Sequence, residues 1–498
     1  MRRRASAFSA TVHFPVLCAL LSFALTNCVV VHLARTALKD RGSALEIPTG
    51  TVDDASRLNQ TAVREVVDVV ADDAVAVAQI QAALTRARAA SVRVSIAGFR
   101  HSMGGQTITQ DGIVLNMLGH NRMELDGEIL KVQSGAVWKD VVEYLDRRGR
   151  SVAVMQSDSP FSIGGSLSVN CHGWQHLSEP IAATVVALTV LQPDGQVVRC
   201  SRTENAELFS HVLGGYGLFG VILDAELQTV ADERYRETHT DCDVQSYEHM
   251  FDEKVRGRSS VGLAYGRISV APATFMREAV LTTYEREAGP VPQLGEMHLS
   301  RLERLVFRGS VGSEYGKNLR WRLEKLQPRI SGTKHFSRNQ LLHQTIEVYV
   351  DRSGSSTDIL HEYFVPRGHL SDFIDRIRPI LFRRDHVDLL NITVRDVRKD
   401  HTTALAYARD DVFAVVMLFS QKRSPEADAA MQHVTRELID AALELGGTYY
   451  LPYRLHATVA QFERAYPQAR EYFDEKRRRD PDEVLSNLWY SRYGKPAP

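Results

Sequence analysis

Cysteine is scarce here, and badly spaced for metal or dithiol chemistry. The 498 residues include five cysteines, and no two of them form a C-x-x-C pair, so neither a zinc ribbon nor a dithiol redox site is indicated. Cys18 and Cys28 fall inside an N-terminal apolar run. Cys171, Cys200 and Cys242 remain, and the sequence leaves a disulfide between two of them open. An excess of one charge is lacking too: 60 Lys and Arg face 61 Asp and Glu, for a formal net charge of -1. That balance argues against nucleic acid as the main partner, since phosphate binding needs positive charge gathered on one face. The basic cluster Arg477 to Arg479 has Asp480 and Asp482 beside it and reads as a solvated helix end. Internal repeats and low-complexity tracts are missing as well. What is present is ordinary globular material, 44% hydrophobic and 24% charged, long enough for two or three domains of ~100–200 residues.

One long apolar run exists. Arg2, Arg3 and Arg4 precede Phe14 to Ala34, interrupted by Ser22, Thr26, Asn27 and His32. At ~1.5 Å per residue a helix of that length crosses a ~30 Å hydrocarbon core. Positive charge on its N-terminal side favours a cytoplasmic N-terminus with the remainder outside. A membrane anchor and a cleaved signal both stay open, although no small-x-small cleavage site follows the run. The expected location is membrane-anchored with the catalytic part outside the cytoplasm, or exported.

The expected organisation is a segment 1–40 of anchor or signal, a polar linker 41–62, a first domain 63–232, a second 233–455, and a C-terminal stretch 456–498. Asn59-Gln60-Thr61 within the linker fits a glycosylation sequon. In the first domain, Val92 to Ala97 reads as a strand and Val137 to Arg147 as an amphipathic helix. Val185 to Leu191 reads as a buried strand leading to a turn at Pro193-Asp194-Gly195. Beyond Asp232, charged helices over Arg301 to Lys325 alternate with strands at Ile346 to Val350 and Val412 to Phe419. The fold class is therefore α+β.

Gly215 to Gly220 (GYGLFG) spells G-x-G-x-x-G. A dinucleotide fingerprint needs a strand before it and a helix after it. Here Glu204 to Val212 reads as a helix and Val221 to Leu227 as a strand, so a Rossmann nicotinamide site is rejected. Two other segments carry more. In Ile96 to Gln106 (IAGFRHSMGGQ), a strand enters a glycine-bearing turn whose backbone N–H groups suit an anion. In Ser162 to Gly173 (SIGGSLSVNCHG), glycines allow close backbone approach to a ligand.

With Gly112 to Met117, Val132 to Val141, Gly214 to Ile222, Gly446 to Pro467 and Asp480 to Asn487, these segments occur in an order that resembles the vanillyl-alcohol-oxidase superfamily. These are FAD-binding oxidoreductases of the PCMH type, and the resemblance is nearest the aldonolactone/alditol oxidase and decaprenylphosphoryl-ribose oxidase branch. It implies a two-part FAD-binding domain, an inserted α+β substrate (cap) domain, and FAD as cofactor. It sets FAD against Gly98, Phe99, Arg100, His101, Ser102, Gly105 and Gln106. Ser162, Gly164, Gly165, Ser168, Cys171 and Gly173 follow, with Ile222 and Asn487. His101 occupies the position that many members bond covalently to the flavin. Phe99 and Arg100 stand where the family has Arg-Gly. The partner cysteine of doubly linked members is missing from Met155 to Ser159, and Cys171 is expected to pack near the flavin. His172 and His176, on a glycine-containing loop, are not expected to bind zinc.

The implied activity is oxidation of an alcohol carbon in a polyol, sugar lactone or lipid-linked sugar. Oxygen or a membrane acceptor would take the electrons. A same-fold NADPH-dependent reductase and a non-catalytic membrane-tethered binding protein are the alternatives. Alcohol oxidation needs a proton acceptor. The aspartate of cytokinin dehydrogenase corresponds in position to Ser157, with Asp158 one place out of register, so that role is not carried over. Strand alternation over Ile359 to Val365 puts His361 and Tyr363 on one face and Glu362 on the other. Asn391, Thr393 and Arg395 share a face by the same rule. Tyr453, Arg454 and His456, with Arg395 and Glu362 as helpers, are the candidate catalytic residues. Tyr453 stands where decaprenylphosphoryl-ribose oxidase has a functional lysine.

Overall fold

A computed structural model describes residues 28–42, 46–295, 301–382 and 387–494. Helix and sheet are mixed along the chain, as an α+β fold requires. Short β-branched runs build the first sheet, in which Glu65–Asp68, Ile113–Asn116 and Val94–Ala97 lie parallel in that order. Parallel neighbours need a crossover. The helix Asp73–Ala89 supplies it, burying Ala76, Ile80, Ala83, Leu84 and Ala87 along one stripe.

The second sheet is antiparallel, in the order Val197–Ser201, Val185–Leu191, Val221–Ala231, Ile129–Gln133 and Met123–Asp126. The turn after Leu191 closes through Gly195 N donating to the Gln192 carbonyl at 2.9 Å. The helix Trp138–Asp146 buries Trp138, Val141, Val142 and Leu145. The glycine cluster 215–220 follows helix Ala206–Val212 and precedes strand Val221–Ala231, an order opposite to that of a dinucleotide fold.

An eight-stranded antiparallel sheet dominates the second half. Its order is His335–Ser337, Arg234–Asp243, Glu278–Arg286, Val261–Ile268, Asp388–Val397, Val412–Lys422, Ser356–Pro366 and Thr448–Tyr449. Helices Leu370–Phe382 and Pro425–Glu444 pack on one face of it. The chain then returns to the first half. Val94 N donates to the Val484 carbonyl at 2.7 Å, and Ser486 N to the Val94 carbonyl at 2.9 Å. Residues 484–486 thereby extend the edge of the parallel sheet at its Val94–Ala97 strand.

Several expectations are corrected. Ile346 to Val350 is not a strand, since Ile346–Val348 forms a 3-10 turn capped by Thr345. The guanidinium of Arg304 takes the carbonyls of Glu347 and Val350, which a sheet ladder would otherwise use. Within the expected linker 41–62, Thr51–Val52 pairs with Thr61–Ala62, and Asp53, Asp54 and Ser56 are buried. The carboxylates of Asp53 and Asp54 accept the backbone N–H groups of Asp54, Ser56, Asn59 and Gly105. The sequon amide is committed in the same way: Asn59 Nδ2 donates to Asp54 Oδ2 at 2.7 Å and to the Met103 carbonyl at 3.1 Å. Cys28, Cys171, Cys200 and Cys242 are all free thiols.

Most of the apolar run Phe14 to Ala34 lies outside the described residues. Residues 28–39 form a helix. It sits on the helices Arg301–Arg308 and Glu314–Ser331, where His32 Nε2 meets the Gly309 carbonyl at 3.0 Å. Arg304 grips Asp40 with two bonds of 2.6 Å. Among the described residues no helix is long and apolar enough to cross a membrane.

Candidate active site

A cavity of about 1970 Å³ separates the two halves. Small-ligand pockets usually hold ~300–1,000 Å³, so this one has room for a large cofactor and a substrate together. Its floor comes from the first half. The strand Val94–Ala97 delivers the turn 98–103, and Ser162–Gly165 meets that turn so closely that a Cβ on Gly98 would lie 2.0 Å from Ser162 Oγ. Ser162–Gly173 was read as a loop, yet Ile163–Ser168 is one short helix. Its Gly164 packs on Ser134, leaving no space for a side chain.

The turn 98–103 is held from behind by the supposed linker. Ala55 N donates to the carbonyls of Arg100 and Ser102, and Asp54 Oδ2 accepts Gly105 N at 2.8 Å. Arg100 sits at φ 56, in the left-handed region where a Cβ costs ~1–2 kcal/mol. This is where the family pattern has glycine, so the departure noted in the sequence is accommodated at the expense of backbone strain. The buried hydroxyls of Ser102 and Ser134 and Arg100 Nε face no protein partner. All three residues line the cavity. Orphaned buried polar atoms of this kind call for a polar ligand, and the pyrophosphate and ribityl groups of FAD would supply one. The residues present fit the cofactor.

Most of the cofactor residues named from sequence border the cavity, from Gly98 through Ser102 and Gln106, through Ser162, Gly164, Gly165, Ser168 and Cys171, to Ile222. Gly105, Gly173 and Asn487 do not. Gly105, at φ 70, lies under Leu488, and Gly173 packs on the Met155 carbonyl. Asn487 caps the last helix and donates to the Tyr216 carbonyl at 2.9 Å. These three brace the floor from outside the cavity lining. His101 stacks on Phe161 at 4.1 Å and on Phe99 at 5.5 Å. Burial pushes its pKa down to about 4, so the ring is neutral near pH 7 and keeps a lone pair. Burial pushes the Cys171 thiol up to about 12, which removes it as a thiolate nucleophile.

The large sheet forms the roof, and the predicted alternation holds. His361 Nδ1 and Tyr363 OH meet at 3.1 Å on the far face, while Glu362 borders the cavity. Asn391, Thr393 and Arg395 border it from the next strand but one. Glu362 Oε1 lies 2.6 Å from His172 Nε2, and Glu362 Oε2 accepts Tyr453 OH at 3.2 Å. Arg395 donates to Ser157 Oγ at 2.9 Å and to the His172 carbonyl at 3.4 Å. Burial alone would raise the Glu362 carboxyl. His172, Arg395 and Tyr453 together hold it below the usual range. Asp158, a neighbour of Ser157 in the same cavity, goes the other way, because burial outweighs Arg395 and raises it.

Two of the named catalytic residues lie elsewhere. Arg454 donates to Asp428 Oδ2 at 2.9 Å and to Asn59 Oδ1 at 2.7 Å. His456 is buried between Thr435 and the same Asp428. Neither borders the cavity, so they anchor the segment that presents Tyr453. Asp158 and His172 were missed as catalytic candidates. The one signal was the acid next to the expected register position, since Glu362 beside His172 and the Arg395 charge near Asp158 come from strands some two hundred residues away. Among the described residues no group of three His, Cys, Asp or Glu side chains could hold a metal ion.

Comparison with known proteins bears on this site directly. A family model described as an FAD binding domain matches residues 74–201. Cytokinin dehydrogenase 2 of Arabidopsis thaliana is 32% identical over 133 residues, covering 26% of each chain. L-gulonolactone oxidase of Mus musculus is 30% identical over 165 residues, 32% of this chain and 37% of its own. An uncharacterized oxidoreductase, ORF5 in the fasciation locus of Rhodococcoides fascians, is 32% identical over 168 residues, again 32% of this chain and 37% of its own. The chain thus spans about a quarter to somewhat over a third of the relatives it matches. The matched stretch includes the turn 98–103, the Ser162–Gly165 contact and His172. Residues 74–201 thus match an FAD binding domain, similar to the corresponding part of these oxidoreductases, and FAD is the cofactor.

Proposed function

We propose that this protein oxidises an alcohol carbon of a small hydroxylated substrate, a polyol, a sugar lactone or a lipid-linked sugar. The observation that carries the reading is a pair of carboxylates in one cavity whose environments drive their pKa values apart, Asp158 upward and Glu362 downward. Such a pair divides the labour between a proton acceptor and a fixed anion. FAD supplies the hydride acceptor. Asp158 takes the hydroxyl proton. Arg395, whose Nε is buried without a partner, offers charge to the developing alkoxide. Glu362 stays ionised and fixes His172 and the Tyr453 phenol, which keeps its proton because burial raises it. Arg454 and His456 position Tyr453 through Asp428.

The name L-gulonolactone oxidase supports a sugar lactone, whereas the name cytokinin dehydrogenase points to a substrate of another class. Anaerobic addition of polyols, aldonolactones and a cytokinin to the purified yellow protein separates these. Bleaching of the flavin band by an alcohol or lactone is expected, and bleaching by the cytokinin alone would overturn the reading. The electrons then pass to oxygen or to a membrane acceptor. The apolar run Phe14 to Ala34 supports a site of action at the membrane, outside the cytoplasm.

The bond from His101 to FAD is part of the proposal. Acid precipitation is expected to leave flavin fluorescence on the polypeptide, and His101→Ala to release it into the supernatant. Wild-type protein that loses its flavin in acid would rule the bond out.

A further inference from the structure

We propose that the lip of the cavity is a lipid-docking surface, so that the cavity opens against a bilayer. The helices Arg301–Arg308 and Glu314–Ser331 form one side of the outer cavity. On the second helix Leu319, Leu323, Leu326 and Ile330 recur at spacings of four, three and four, which places them on a single stripe. The opposite side of that helix is committed to the protein, with Trp321 buried and its Nε1 donating to Glu278 Oε2 at 2.7 Å. The stripe itself is uncovered: Ile330 is 73% exposed, Leu326 46%, and Leu302 on the first helix 60%. Leu302, Leu323, Leu326 and Ile330 all border the cavity mouth. An apolar patch gathered at one mouth marks an interaction surface, whereas single exposed leucines are unremarkable.

The choice of bilayer over a protein partner rests on what the same two helices carry besides the stripe. The helix at 28–39 is seated on these same two helices through His32 and Asp40. It adds Val30, Val31 and Leu38 to the exposed apolar surface. It also continues, without a break in sequence, the apolar run that begins at Phe14 behind Arg2, Arg3 and Arg4. A segment of that composition partitions into lipid. Its end is clamped to the helix pair that carries the stripe, so lipid association of the run brings that pair to the lipid surface. Arg301 and Arg322, both exposed, neighbour Leu302 and Leu323 in sequence. Basic residues bordering an apolar stripe suit the interface of an anionic membrane.

The test uses the full-length flavoprotein with Cys18, Cys28 and Cys242 replaced by serine, carrying an environment-sensitive fluorophore at Leu302→Cys, at Ile330→Cys or at the control Val197→Cys. Val197 is exposed on an edge strand of the antiparallel sheet in the other half. Flavin absorbance reports that each variant is folded. With phosphatidylcholine–phosphatidylglycerol vesicles, the two lip labels are expected to shift to the blue and to lose emission to doxyl-labelled lipid, and the control label to do neither. Adding Leu326→Glu to the Ile330→Cys protein is expected to abolish the quenching while flavin content is kept. A body tethered by its N-terminus but not docked would leave the lip labels unquenched, and non-specific adhesion would quench all three positions. A second copy as the occupant would shift the labels with protein concentration and without lipid. Each of these results overturns the proposal.

Discussion

Asp158→Asn is expected to slow anaerobic flavin reduction by about 10²–10⁴-fold, the usual worth of a positioned general base, with flavin content unchanged. The pH profile separates a lost base from a disturbed fold. A base works when deprotonated. Burial raises the Asp158 carboxyl above the ordinary ~3.9 of aspartate, so the wild-type rate falls on the acid side at a higher pH than an exposed aspartate would give. The asparagine variant is expected to lose that acid limb, its residual rate becoming flat across it. Reduction at the wild-type rate would move the role to the Glu362–His172 pair. There, a carboxylate at Nε2 leaves Nδ1 buried and without a partner.

The second large effect lies far from the chemistry. Lys476 and Asp480 form an ion pair whose side chains are 0% and 1% exposed. Asp480 also accepts the backbone N–H groups of Val484 at 3.0 Å and Leu485 at 2.9 Å. Removing one member of a buried pair leaves the other charge without compensation, at a cost of ~3–5 kcal/mol. Asp480→Ala is therefore expected to lower stability by about that amount. The double variant Lys476→Met, Asp480→Leu is expected to recover part of it, but not the two backbone bonds. Denaturant titration followed by circular dichroism measures the stability. Flavin fluorescence on the same samples shows whether the cradle loosens at lower denaturant than the rest. A stability change below ~1 kcal/mol in the alanine variant would mean that water replaces the carboxylate.

Regular segments were legible because their periodicity is local. The strand at Val185–Leu191, the helix Trp138–Asp146 and the opposed faces of His361 and Glu362 all follow from alternation or 3.6-residue spacing. The floor of the cavity was legible for another reason: its loops are tied to strand ends and occur in a recognisable order. The misplaced residues fall where no period exists. Around Tyr453 to His456 the backbone is irregular, so nothing in the sequence says which side chains share a side, and Asp428 claims both Arg454 and His456. Asp158 was set aside over a single position of register. In a loop, an offset of one position does not fix which way a side chain faces, as it does in a strand. The pairing of His172 with Glu362 spans 190 positions, and no local pattern announces such a partner.

The return of residues 484–488 to the first half has a consequence for biogenesis. The strand Val94–Ala97 finds its last hydrogen-bond partners in Val484 and Ser486, and Leu488 N donates to the carbonyls of Gly105 and Ile108. The cofactor floor, encoded mostly in the first half of the chain, thus has its outer edge supplied by residues translated long after the rest of it. A nascent chain halted anywhere before residue 484 lacks that edge, however completely its N-terminal part has been made. A chain that stops short of residue 484 is therefore expected to hold flavin less tightly than one that includes residues 484–488.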